Sequence, residues 1–275
     1  MSNEDATGLE SHFAFGENWA HYARGVDARR IDEAVAGLRR LLGDHDLAGK
    51  RFLDIGCGSG IHSVAASCLG ASEIVATDLD PESVATTRAL LERFARNSRW
   101  RVERISAFDL GPEALGTFSV VYSWGVLHHT GNMDLAIRKA TAMVGEGGRL
   151  LLALYDRTRM CPFWRVEKRW YSRASKPAQA LARALYVALF AMRLWAGGRS
   201  FREHVDRYPD THRGMDFHHD VHDWLGGYPY ESISGEGVEQ LMQQSRMARV
   251  RRFLQNGRGI GLFGSGCNEY VYGRP

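Results

Sequence analysis

A chain of 275 residues that is 44% hydrophobic is long and apolar enough to bury one sizeable core, which excludes a disordered chain and a small disulfide scaffold. Its 35 Lys and Arg against 32 Asp and Glu leave a formal charge of only +3, so overall charge points to no nucleic-acid partner. Cys57, Cys68, Cys161 and Cys267 stand far apart with no CxxC pair; a zinc ribbon is excluded, and the thiols read as ordinary reduced cysteines of a cytoplasmic protein.

The first 25 residues carry Glu4, Asp5, Glu10 and Glu17 and no apolar run, so no signal peptide is expected. Ile31, Val35, Leu38, Leu41 and Leu42 recur at the helical period, and Gly43 follows as a stop. Arg51 to Ile55 then reads as a strand, Gly56 to Gly60 as a glycine loop, the stretch to Leu69 as a helix, and Glu73 to Thr77 as a second strand. A helix is predicted from Pro81 to about Ala95, with strands at Trp100 to Ile105 and Phe118 to Ser123. A helix over Met133 to Val144 and the strand Arg149 to Tyr155 follow. This alternation predicts a doubly wound α/β fold with a mainly parallel sheet.

After Tyr155 the alternation lapses until a helix near Gly237 to Ser245 and strands near Val250 and Asn268 to Tyr272. The expected organisation is an N-terminal helical cap (1–47), an α/β core (48–155), an inserted helical lid after the fifth strand (156–232), and a C-terminal helix and antiparallel hairpin completing the core (233–275). Ala178 to Trp195 is the most apolar stretch, but Arg183 and Arg193 leave only nine uninterrupted apolar residues between them, well short of the roughly 20 a membrane span requires. Burial against the core, a subunit interface that makes a homodimer, and peripheral contact with a membrane all fit such a segment.

Glycines after a first strand let backbone approach a ligand at the positive end of the next helix. Here the spacing is Gly56-x-Gly58-x-Gly60, whereas a dinucleotide site wants its third glycine at the position of Ile61. Asp54 can accept hydrogen bonds from the loop or from an ammonium group, where it would repel a pyrophosphate. Asp78, closing the second strand, is placed for the two hydroxyls of a ribose.

Leu53-Asp54-Ile55-Gly56-Cys57-Gly58-Ser59-Gly60 together with Thr77-Asp78-Leu79-Asp80 resembles the cofactor motifs of class I S-adenosylmethionine (SAM)-dependent methyltransferases. The resemblance runs from about residue 48 to 155. It implies a Rossmann-like sheet of seven strands, SAM as cofactor and S-adenosylhomocysteine as product. It also implies that Ser106, Ala107 and Phe108 enclose the adenine, and that Trp124 and the following residues to His129 lie beside the sulfonium. The implied cofactor set is completed by Asp54, Gly56, Cys57, Gly58, Gly60, Asp78, Leu79 and Trp19; Trp19, a helical turn from Tyr22, either covers the cofactor or simply packs. More narrowly, the chain resembles a bacterial methyltransferase group related at motif level to ubiquinone O-methyltransferases, on Phe15-Gly16-Glu17-Asn18-Trp19, Arg213-Gly214-Met215, Asp223 to Glu231 and Gly266-Cys267-Asn268-Glu269.

Methyl transfer from a sulfonium needs alignment, exclusion of water and, for a hydroxyl acceptor, removal of a proton. His129 is the candidate base, read alternatively as orienting the loops, with His128 structural. His218-His219-Asp220-Val221-His222-Asp223 supplies further groups, read as hydrogen-bonding residues that shape the insertion or as acceptor contacts. His219, Asp220 and Asp223 are the candidates there, and no bound metal is expected. Between Asp156 and Arg202 eleven Lys or Arg face two acids, Asp156 and Glu167, so an anionic or amphiphilic small-molecule acceptor is expected and nucleic acid is not. The expected activity is transfer of a methyl group to such an acceptor, oxygen preferred over nitrogen or carbon, in biosynthesis or secondary metabolism. A nicotinamide oxidoreductase and a non-catalytic SAM-binding subunit are the rivals.

Overall fold

The computed structural model describes residues 15–95, 98–211, 215–255, 261–264 and 266–275. The acids Glu4, Asp5 and Glu10, and the motif residues Arg213 and Gly214, lie outside them. Two helices, α1 (Phe15–Arg24) and α2 (Ala28–Leu42), precede the sheet. Asp27 caps α2 by accepting from Arg30 N, and Gly43 ends it. The core then runs β1 (Arg51–Ile55), α3 (Ile61–Cys68), β2 (Glu73–Asp78), α4 (Pro81–Phe94), β3 (Arg99–Arg104), α5 (Pro112–Leu115), β4 (Phe118–Trp124), a short 3-10 turn (Leu127–His129), α6 (Met133–Ala142) and β5 (Val144–Tyr155). Five helices follow: α7 (Cys161–Arg173), α8 (Lys176–Ala196), α9 (Phe201–Asp206), α10 (Tyr208–Thr211) and α11 (Phe217–Gly226). Then α12 (Gly235–Gln244), β6 (Ala248–Phe253) and β7 (Cys267–Gly273) complete the chain.

The seven strands lie in the order β3-β2-β1-β4-β5-β7-β6, parallel from β3 to β5, with β7 antiparallel to both β5 and β6. Strands between two helical layers must be apolar on both faces. Phe52, Ile74, Val120 and Leu151 accordingly join α2 and α3 in one buried cluster, while Leu53, Val75, Val121 and Leu150 join α6 and α12 in another. The outer strands carry their own protection against edge pairing: Arg99, Arg101 and Arg104 on β3, and Arg249 and Arg252 on β6. The strand expected at Arg149 begins earlier, at Val144, because β5 first pairs Phe118 with Val144 and then shifts register through the glycines before Arg149.

The chain leaves the sheet at Asp156 and returns at Ile233, and these two residues form a parallel bridge. Between them α7, α8 and α11 build a small aromatic core from Trp164, Tyr171, Phe217, Val221, Leu225 and Tyr230. The Tyr228–Pro229 peptide bond on the return path is cis.

Candidate functional site

The first crossover in a doubly wound sheet opens a crevice at the carboxyl ends of the strands on either side. That crevice lies beyond β1 and β4, and it opens into a cavity of about 1210 Å³. Its floor is the loop after β1. The amides of Gly56 and Cys57 donate to Thr77 O at 2.8 and 3.0 Å, and Gly58 N donates to Asp78 Oδ2 at 3.0 Å. Gly58 has φ +53°, and a Cβ there would stand 3.2 Å from the Trp19 ring. Gly60, at φ +82°, lies below the lining; a Cβ would come within 2.9 Å of the Thr87 backbone, so its bareness lets α4 close on the loop.

Two carboxyls flank this loop, Asp54 in β1 and Asp78 at the end of β2. Asp54 is buried beneath it and accepts from Ser63 Oγ at 2.7 Å; burial pushes its pKa up to about 7. Asp78 accepts from Gly58 N and Asp80 N, and burial pushes it up to about 6 despite those donors. The Cys57 thiol is held far above its usual range by burial and the nearby carboxylates, and it takes a hydrogen bond from Thr87 Oγ1 at 3.2 Å. It therefore stays protonated and structural. Leu79, Ser106, Ala107, Phe108 and Trp124 line the same half of the cavity.

Helix α1 lies over the loop. Gly16 N donates to Asp80 Oδ2 at 2.9 Å, and Asp80 Oδ1 also caps α4 by accepting from Glu82 N. Trp19 lines the cavity above Gly58, whereas Tyr22 turns into the core. Asn18 donates to Asp223 Oδ1 at 2.7 Å and to His219 O at 3.2 Å, joining two motifs 205 positions apart.

The far half of the cavity is aromatic, with Phe15, Tyr155, Tyr186, Phe190, Phe217 and Trp224 in its walls. His129 Nδ1 lies 2.7 Å from Pro229 O. A carbonyl only accepts, so Nδ1 carries the proton and the neutral ring keeps its lone pair on Nε2. Asp220 and Asp223 reach this half. Tyr208 OH donates to Asp220 Oδ2 at 2.8 Å, and burial together with Asp220 holds the Asp223 carboxyl well above the usual range. His219 does not line the cavity: Nδ1 lies 2.8 Å from Asp216 Oδ1 and Nε2 2.8 Å from His21 Nδ1. His222 is engaged by Tyr171 OH and Arg183. Among the described residues no three His, Cys, Asp or Glu side chains converge as a metal-ligand set. His128 is wholly buried against Tyr155 at 3.8 Å and held neutral by burial.

Several residues of the site were not singled out from the sequence. Glu269 accepts from Trp124 Nε1 at 2.9 Å and pairs with Arg40, fixing the indole and one wall. Glu269 belongs to a quoted motif, but Arg40 reads in sequence as the solvent face of α2. Lys168 is fully buried behind the aromatic wall, its Nζ 3.6 Å from the Trp224 ring centre, and burial pushes it down to about 7.

Residues 53–150 match the family model described as a methyltransferase domain. The chain is 35% identical over 113 residues to the ubiquinone biosynthesis O-methyltransferase of Xanthomonas oryzae pv. oryzae, a match covering 41% of this chain and 46% of that protein. It thus spans about half the length of the curated relatives it matches. The fold is shared with the SAH-bound magnesium protoporphyrin IX methyltransferase of Synechocystis PCC 6803 (TM-score 0.56, 14% identity, covering 99% of this chain and 96% of that one). It is also shared with a SAM-dependent methyltransferase from Mesorhizobium loti (TM-score 0.52, 17% identity, 89% and 100%).

Proposed function

We propose, from the match of residues 53–150 to a methyltransferase domain and the geometry of the glycine loop, that the whole chain transfers a methyl group from SAM to a small-molecule acceptor. One observation carries the reading: two buried carboxyls, Asp54 and Asp78, flank the glycine loop at the mouth of an aromatic chamber. The carboxylate of Asp54 would repel a pyrophosphate but accepts from an ammonium group, while Asp78 takes the hydroxyls of a ribose. The donor and acceptor set therefore fits SAM and not a nicotinamide dinucleotide.

In this reading Asp54 holds the ammonium end through the loop, Asp78 takes the ribose hydroxyls, Ser106 to Phe108 flank the adenine, and Trp19 closes over the top. Bound SAM supplies a methyl group on a positively charged sulfur. The chain aligns the acceptor between Phe15, Tyr155 and Trp224, excludes water with these rings, and takes a proton at His129 Nε2. Asp220 and Asp223 hydrogen-bond the acceptor, while His219 supports them through α11. Residues 156–232 serve as the lid and acceptor-recognition segment. Oxygen is the preferred acceptor atom, supported by a base with its lone pair on Nε2 and by relatives named as O-methyltransferases. The aromatic walls suit an amphiphilic or aromatic acceptor.

Calorimetric titration separates the cofactors: SAM is expected to bind and NAD not to, and the reverse overturns the assignment. Incubation with labelled SAM and a metabolite extract, followed by identification of the labelled product, names the acceptor and distinguishes an enzyme from a SAM-binding subunit.

A further inference from the structure

Helix α8 has two apolar faces with different fates. One side is turned in: Tyr186 and Phe190 line the cavity, Leu194 is buried, and Arg183 is drawn inward onto Tyr171 OH and His222. The other side presents Leu181, Leu185, Leu189, Met192 and Trp195 outward, with Leu181 72% and Trp195 81% exposed. Steps of four, four, three and three residues put these side chains on one helical face, and exposed Ala184 and Ala188 fill the gaps. A helix whose solvent side is its most apolar side has its partner missing.

Charge identifies that partner. From Ala174 to Arg202 the chain contains no Asp or Glu, and Lys176, Arg193, Arg199 and Arg202 are all exposed around the ends of the face, although Lys176 lies 3.9 Å from Glu17 and Arg202 4.0 Å from Asp206. With Arg183 turned in, the middle of the face is uncharged and the rim is basic. No described helix is long and apolar enough to cross a membrane, so α8 is suited to lie along a surface. Leucines and a terminal tryptophan on one side, with cations at the edge, are what an in-plane interfacial helix uses to enter the headgroup region and attract anionic lipid. A second copy of the chain laid face to face would bring basic rims together with no acid in the segment to answer them.

We propose that the outer face of α8 is a docking surface for an anionic lipid bilayer. The proposal goes beyond the methyl-transfer reading and does not depend on it. Co-sedimentation with vesicles tests it, comparing phosphatidylcholine alone with phosphatidylcholine containing about a third phosphatidylglycerol. The protein is expected to bind the anionic vesicles, to bind neutral ones about tenfold more weakly, and to be released by salt. Leu185→Glu with Leu189→Glu should weaken binding to anionic vesicles about tenfold or more, with the thermal transition and SAM affinity unchanged. Should that pair unfold the protein, Arg199→Glu with Arg202→Glu tests the rim alone and should abolish the preference for anionic lipid. Absence of binding to anionic vesicles, equal binding to neutral ones, or wild-type binding by both variants overturns the proposal. So does a dimer in sedimentation equilibrium that the leucine pair splits, which would give the face to a second copy.

Discussion

Asp54 and Asp78 are both carboxyls withdrawn from water, and their behaviour follows from what little each is given in return. Asp78 has backbone donors that a ribose would replace or join; Asp78→Ala should weaken SAM binding by about 2–3 kcal/mol, the range for hydrogen bonds to a charged group, measured by calorimetry on the folded variant. Asp54 has only Ser63, and its pKa stands at about 7. Below that value it is neutral and above it charged, and an ammonium group favours the charged form. SAM affinity is therefore expected to rise as pH climbs through about 7 and to fall again as the ligand's own ammonium loses its proton at about 8. In Asp54→Asn the rise should vanish. In the proposed reading proton removal falls to His129, whose Nδ1 faces Pro229 O, rather than to Asp223, whose carboxyl burial holds above its usual range. His129→Ala should then lower the turnover rate by about 10²–10⁴ with SAM affinity intact, while Asp223→Asn, whose amide oxygen can still accept from Asn18, should cost far less. Asp54, Asp78 and His129 could be singled out in the sequence because Asp54 lies at the end of β1, Asp78 closes β2 and His129 lies in the turn after β4. The pairing of Arg40 with Glu269, 229 positions apart, was not, since nothing local in an amphipathic helix marks which exposed base will be covered.

Helix α1 is held by contacts that leave no room for a side chain at its second residue. A Cβ at Gly16 would lie 2.5 Å from Asp80 Oδ2, the oxygen that accepts the Gly16 amide. Gly16→Ala should therefore pull α1 away from α4, lowering stability by about 1–3 kcal/mol in a denaturant titration and loosening Trp19 from the loop, seen as weaker SAM binding. The elements of the sheet could be read from sequence because strand, stop and helix alternate with clear punctuation. The helices of residues 156–232 could not be placed individually: α8 is apolar on nearly every side, so its periodicity did not reveal which side faces inward. The same ambiguity applied to Trp19 and Tyr22, adjacent on one helix, of which one lines the cavity and the other enters the core. His219 shows the opposite difficulty. It stands beside two cavity residues in sequence, yet the turn of α11 carries its ring to Asp216 and His21.

At the scale of the whole molecule, the sheet divides the interior into two cores while the cavity draws residues from almost every segment, from Phe15 to Glu269. The topology on the loop side was legible because a parallel sheet admits few arrangements for that element order; the aromatic chamber was not, because its walls come from an insertion with its own small core. Helix α1 connects the two halves. It covers the glycine loop through Trp19 and is fastened to the opposite wall by the Asn18 to Asp223 hydrogen bond. Lifting α1 off the glycine loop would part Asn18 from Asp223. In the proposed reading this orders events: SAM enters first and S-adenosylhomocysteine departs last, because α1 closes over the nucleoside and is pinned through Asn18 to the acceptor-side wall. Initial-rate measurements should then show S-adenosylhomocysteine inhibiting competitively against SAM and non-competitively against the acceptor, and Asn18→Ala should relax that compulsory sequence toward random exchange.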